Sequence, residues 1–97
     1  MARFDVIVAY IMANRKNGAI YTGSTSDLQA RAEQHKLGSG SGFTAKYGCA
    51  RLAWYEQFEE MALATHRERR IKTWSRGWKV ELIESVNPHW DDLSSTW

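Results

Sequence analysis

The chain has 97 residues, 43% apolar and 25% charged, which suits one folded domain with a single core and excludes a disordered or multi-domain architecture. Its formal net charge of +2 is too mild to indicate nucleic acid by itself. The longest apolar run, residues 6–13, is too short to span a bilayer, and with only Arg3 and Asp5 before it no signal peptide is expected. The lone Cys49 has no disulfide partner in the chain, which fits a reducing, cytoplasmic setting.

Phe4 to Met12 is rich in Val and Ile and reads as a central strand covered on both sides. Val6, Val8, Tyr10 and Met12 share one face, and Asp5, Ile7, Ala9 and Ile11 the other. A turn at residues 14–18 leads into a returning strand, Ala19 to Gly23. Two registers are open. A tight Asn17-Gly18 turn pairs Tyr21 with Asn14, whereas a loop over residues 14–17 pairs Tyr10 with Tyr21. Turn chemistry alone favours the first.

Ser26 with Gln29 reads as a capping box starting a helix that closes at Gly38. Leu28, Arg31, Ala32 and His35 fall on one face of that helix, so a stripe expected to meet the core carries a guanidinium and an imidazole. Such groups need partners when buried, and a bound phosphate is one candidate. Residues 38–42 form a flexible Gly/Ser connection that is neither a P-loop nor a nucleophile elbow. A short helical turn over Phe43–Tyr47, a third strand over Arg51–Phe58 and a long helix from Glu59 to about Lys72 follow. Ser75 caps a second helix through Ile83, and an irregular tail begins after it. The expected organisation is one domain over 1–97, with a core over about 4–83 and a tail over 84–97.

In the long helix, Met61, Ala64, Glu68 and Ile71 form one stripe, so a carboxylate interrupts an apolar face. It reads either as a structural ion pair with Arg31 or as a ligand for a hard divalent cation completed by phosphate and water. Tyr10, Tyr21, Arg31 and His35 each have an ordinary structural reading alone. Together with an inward Glu68 they describe a phosphodiester site. Residues 67–79 carry six basic side chains against Glu68 alone, a modest electrostatic footprint. His66 and His89 lack the spacing of a zinc site. Most of the five tryptophans read as packing, with Trp74 and Trp78 as candidates for stacking on bases.

These residues resemble the GIY-YIG nuclease superfamily, specifically its small single-domain bacterial members, and are similar to the N-terminal nuclease domain of the repair excinuclease. Val8-Ala9-Tyr10 stands for the first signature and Tyr21-Thr22-Gly23 for the second, with Arg31 ten residues after Tyr21 and His35 one helical turn later. Residues 40–48, 67–79 and 82–88 resemble further stretches of the small members, so the similarity runs from about Phe4 to Asp92. The departures, Val8-Ala9 and Thr22, fall at scaffold positions.

The resemblance implies an α/β fold of α+β type, a three-stranded antiparallel sheet flanked by helices, and favours the register that pairs Tyr10 with Tyr21. It implies hydrolysis of DNA phosphodiesters with one Mg2+ or Mn2+ ion, weakly held without substrate, in a setting such as repair or recombination. The implied catalytic set is Tyr10, Tyr21, Arg31, His35 and Glu68. Glu68 would hold the metal and Arg31 would stabilise charge on the phosphate. Tyr10 is the preferred base, assisted by His35, although either tyrosine could serve. Lys46, Arg67, Arg70, Lys72 and Arg76 are the expected nucleic-acid contacts, with Tyr47 and Asn87 as accessory candidates. A monomer or weak dimer, free of membrane, is expected. The competing readings are a nucleic-acid-binding module with little turnover and a protein-interaction domain in which Glu68 and Arg31 pair.

Overall fold

In the computed structural model, which describes residues 6–39 and 41–95, seven elements follow one another. They are β1 (Ile7–Ala13), β2 (Ile20–Thr25), α1 (Leu28–Lys36), α2 (Gly42–Tyr47), β3 (Arg51–Phe58), α3 (Met61–Lys72) and α4 (Arg76–Val86). The strands form one antiparallel sheet in the order β2-β1-β3, flanked by helices, as the α+β expectation requires. Phe4 and Asp5 at the expected strand start, Gly40 in the connection and Trp97 lie outside the described residues.

The middle strand β1 is apolar on both faces because both are covered. Val8, Tyr10 and Met12 pack with Leu28, Cys49 and Leu52 on the α1 side. Ala9, Ile11 and Ala13 pack with Ile71 of α3, Ile83 of α4 and Trp90 on the other. A bulge opposite Ile11 and Met12 pairs them with Trp54 and Leu52, leaving Ala53 unpaired between. That extra residue puts Ala53 and Trp54 in the same core layer.

Neither expected hairpin register forms. Met12 opposes Tyr21, and Tyr10 opposes Gly23. Asn14 and Ala19 close the turn: Asn14 N donates to Ala19 O at 3.2 Å, and Ala19 N donates to Asn14 Oδ1 at 2.9 Å. Inside it Gly18 N donates to Arg15 O, and Asn17 takes the left-handed conformation at φ 60. The Asn14 side chain folds against Gly18, where a Cβ would lie 2.0 Å from Oδ1, so glycine is required there for space. All three registers differ by steps of two residues, which preserves the face of every side chain.

Helix α1 starts one residue later than the expected capping box. Asp27 is the cap, accepting from Ala30 N, while Thr25 Oγ1 accepts from Asp27 N. A carboxylate at the cap accepts more strongly than the Ser26 hydroxyl. The helix ends at Leu37 and Gly38, the latter at φ 77. The expected tail after residue 83 is also different. Helix α4 continues to Val86, and Trp90 returns fully buried into the α3/α4 core. Asn87 anchors the return, donating to Ala53 O in the bulge and to Asp91 O, and accepting from Asp91 N.

Candidate active site

The site begins where β1 and the edge strand β2 meet. Tyr10 is 2% exposed, and its hydroxyl lies over Gly23, where an added Cβ would be 2.6 Å from the phenolic oxygen. Glycine at that edge position gives the phenol room to reach past the strand. Tyr21, the diagonal neighbour of Tyr10 on the same sheet face, is half-buried with ring centroids 6.4 Å apart.

Helix α1 delivers His35, 2% exposed, between the two tyrosines, with ring centroids 5.7 Å from Tyr10 and 5.6 Å from Tyr21. Its Nε2 lies 3.0 Å from the Tyr10 hydroxyl and its Nδ1 2.9 Å from Thr44 Oγ1. The Thr44 hydroxyl donates to Ser41 O and accepts from Ser41 N. With its proton so engaged, Thr44 accepts from Nδ1–H, which makes Nε2 the acceptor for the Tyr10 proton. Burial pushes the Tyr10 phenol well above its ordinary range; Tyr21 and Glu68 add to this and Arg31 opposes it. Burial also holds the His35 imidazole down to about 4, with the Arg31 charge acting in the same direction. At neutral pH the pair is therefore a neutral phenol donating to a neutral imidazole.

Arg31 sits half-buried on the same helix, with Nη1 donating to Gln34 Oε1 at 3.2 Å. The α1 stripe thus contributes Leu28 and Ala32 to the core and His35 and Arg31 to the site.

Glu68 comes from the other side. Ser24, opposite Ala9, points to the α3 face of the sheet and donates to Glu68 Oε1 at 2.5 Å. Lys72, one turn on in α3, donates to Oε2 at 2.6 Å. The Lys72 ammonium also lies 6.0 Å from the Tyr21 ring centroid, so the cluster wraps around the free edge of β2. The Glu68 carboxylate and the Ser24 hydroxyl are hard oxygens, and the Lys72 ammonium stands on the carboxylate as a small cation would. That chemistry fits a magnesium-like ion bound through one carboxylate, water and substrate phosphate. Among the described residues no group of three or more His, Cys, Asp or Glu forms a complete metal cage.

The expected nucleic-acid contacts separate into two sets. Arg70 is exposed on α3, and Lys46 is exposed on α2 beside Tyr47. Tyr47 stacks on Phe43 at 4.7 Å, and Phe43 meets Tyr21 at 6.1 Å, an aromatic file leading from the surface to the site. Arg67 instead pairs with Glu56 at 2.9 Å and lies over Trp54 and Trp74, joining α3 to β3. Arg76 donates to Gly18 O at 2.6 Å, tying α4 to the hairpin turn. Asn87, engaged with Ala53 and Asp91, has a structural position rather than the expected accessory one. Trp54 and Trp90 are core, Trp74 is half-buried against Arg67, and Trp78 is 63% exposed.

Two positions carry no signal of their own in the sequence, Ser24 as partner of Glu68 and Thr44 as partner of His35, whereas Gly23, the opening above Tyr10, is the glycine of the second signature. Thr44 lies within the family-like stretch 40–48, and Ser24 directly follows Tyr21-Thr22-Gly23, but a lone hydroxyl has no spacing to mark it.

The sequence profile of the GIY-YIG catalytic domain matches residues 7–81, which include all five expected catalytic positions. UPF0213 proteins of Staphylococcus aureus, from strains Mu50 and N315 among others, are 37% identical over 68 residues, covering 70% of this chain and 83% of theirs. The solution NMR structure of a UPF0213 protein from Bacillus halodurans superposes with a TM-score of 0.55 at 28% identity, covering 91% of this chain and 93% of that one. GIY-YIG domains are endonuclease domains, generally dependent on a divalent metal. With the profile spanning most of the chain, this protein belongs to the GIY-YIG catalytic domain family.

Proposed function

We propose that the protein is a metal-dependent endonuclease that hydrolyses phosphodiester bonds in DNA, in a setting such as repair or recombination. The observation that carries the reading is the Tyr10–His35 hydrogen bond at 3.0 Å, made beside Tyr21 and within electrostatic reach of both Arg31 and Glu68. A buried phenol donating to a buried neutral imidazole is a proton relay aimed at one edge of the sheet. The buried, solitary thiol of Cys49 fits the reducing cytoplasm.

The scissile phosphate is placed at the β2 edge with its oxygens toward Arg31, whose planar donors match them. The attacking water gives one proton to the Tyr10 oxygen while the phenolic proton moves to His35 Nε2. The water oxygen bonds to phosphorus, the phosphorus–sugar oxygen bond breaks, and the departing oxygen takes a proton from solvent. An anionic phosphate beside Arg31 offsets the charge that depresses His35, so the imidazole becomes a better acceptor once substrate is bound. Tyr21 holds the water or phosphate from the opposite side. Glu68 would hold a single Mg2+ or Mn2+ ion, which when bound supplies Lewis-acid stabilisation of the phosphate. Lys46 and Arg70 contact the strand beyond the site, and the protein acts as a monomer or weak dimer.

A second reading has its own support. Both oxygens of Glu68 already have donors, as they would in a binding module whose carboxylate is structural. Labelled single-stranded, duplex and branched DNA, incubated with Mg2+ or Mn2+, separates the two. Metal-dependent nicking that disappears in Glu68→Ala is the expected result. Equal, salt-sensitive binding by both proteins with no cleavage would establish the binding module instead.

A further inference from the structure

We propose that Lys72 is an internal counter-cation: in the free protein it occupies the cation seat on Glu68, and it transfers to a substrate phosphate oxygen when a divalent ion takes that seat. The inference deepens the metal-dependent reading above and rests on it.

Three features of the geometry carry it. The Ser24 hydroxyl takes Glu68 Oε1 at 2.5 Å and so orients the carboxylate, leaving Oε2 to the Lys72 ammonium at 2.6 Å. The two partners differ in exposure: the Glu68 side chain is 16% exposed and that of Lys72 48%. The carboxylate is thus fixed, while the ammonium sits on a long stem in contact with solvent. Finally, the ammonium lies 6.0 Å from the Tyr21 ring centroid, at the edge where Tyr21 and His35 meet. A small swing carries it from the carboxylate toward an anion held there.

The energetics suit an exchange. A single ammonium on a solvent-accessible stem is a weak partner for the carboxylate, so a divalent ion displaces it readily, yet while in place it neutralises the charge that would attract the ion. The released ammonium, a compact point charge with three donors, suits a phosphate oxygen. Loss of the Glu68 pair is then compensated only when a phosphate is present. Metal and nucleic acid therefore favour each other's binding, by a coupling that is reciprocal. The free protein is kept poor in metal, and the ion is loaded together with substrate.

Mn2+ binding without nucleic acid, followed by electron paramagnetic resonance of the free ion, tests this directly. Lys72→Met is expected to tighten Mn2+ binding about fivefold, the upper end of the range for one surface ion pair. Arg69→Met, which removes an equal charge from an exposed neighbouring position, is expected to change it less than about twofold. Glu68→Gln should weaken binding and abolish the gain from Lys72→Met. If Glu68→Gln weakens binding but Lys72→Met does not tighten it, the counter-cation role is overturned and the metal seat stands. If Arg69→Met tightens it as much as Lys72→Met, the effect is general charge and the specific role is overturned. If Glu68→Gln changes nothing, the metal seat is overturned and the role of Lys72 with it. Lys72 and Arg69 are exposed, and glutamine at position 68 keeps an acceptor for the Ser24 hydroxyl, so circular dichroism should show all three variants folded.

Discussion

The Tyr10 hydroxyl and Gly23 share one space: a methyl group on Gly23 would lie 2.6 Å from the oxygen and 2.7 Å from Cζ. Because Gly23 is buried on the edge strand opposite Tyr10, the clash cannot be relieved without moving the ring or the strand. Gly23→Ala should therefore destabilise the fold by about 1–3 kcal/mol, the usual range for overpacking. It should also displace the Tyr10–His35 hydrogen bond and reduce cleavage. Thermal melts together with kcat check both. A variant of unchanged Tm and unchanged rate would show that the phenol has another position.

His35 gives the stability a particular pH dependence. Its pKa of about 4 in the folded chain lies below the ordinary 6.5, so the unfolded chain binds the proton more readily. Stability is unaffected above about pH 6.5, falls as the pH drops through the interval down to about 4, and is fully reduced below it, by up to about 3 kcal/mol. Asp92 acts at lower pH. Burial would raise its carboxyl, but bonds from Ser94, Leu52 and Lys36 outweigh that and hold it below its usual 3.8. Urea unfolding of wild type and His35→Gln between pH 4 and 7 should show the slope in this interval only in wild type.

Thr44 acts through His35. Thr44→Val removes the acceptor for Nδ1–H and leaves that group buried without a partner. Nitrogen-15 NMR should then show the imidazole proton redistributed between Nδ1 and Nε2, and kcat should fall by about tenfold or more with little change in KM. Thr44→Ser, which keeps the hydroxyl, should restore both. A purely structural role would lower Tm without altering the tautomer.

Arg67 and Lys46 look alike in sequence and differ in position. Arg67→Ala breaks the Glu56 pair and the stacking on Trp54 and Trp74, and should lower stability by about 1–2 kcal/mol while leaving the salt dependence of DNA binding nearly unchanged. Lys46→Ala should do the reverse, reducing the slope of log K against log salt by about 0.7–0.9 with little change in Tm. Fluorescence titrations at several salt concentrations decide between them.

Asn87 closes the C-terminal return with three side-chain hydrogen bonds. Asn87→Ala leaves the Ala53 carbonyl and the Asp91 amide without those partners, and should cost about 2–3 kcal/mol in urea unfolding. At temperatures where the variant is folded, kcat should match wild type. A large loss of rate in the folded variant would return Asn87 to the site.

Periodicity and local chemistry sufficed for part of this structure. Alternation placed Tyr10 and Tyr21 on one sheet face, and helical spacing put His35 and Arg31 together on α1 and Glu68 inward on α3. The glycines at 38 and 48 ended their helices in the left-handed conformation, at φ 77 and φ 66. These features hold because face and helix phase depend only on neighbours in the chain. The register was not legible in the same way, since steps of two residues keep every face and are decided by how the Asn14 side chain closes the turn over Gly18. Nor were the partners of polar groups distant in sequence. Lys72 meets Glu68 one turn away on its own helix, as i,i+4 spacing allows, but Arg67, five residues earlier in the same basic stretch, reaches Glu56 on β3, which no local spacing marks. Ser24 and Thr44 became site residues only when folding brought hydroxyls distant in sequence to Glu68 and His35. Short-range order was written in the spacing; the pairing of polar groups distant in sequence was decided by long-range packing, which sets which of them come within reach of one another.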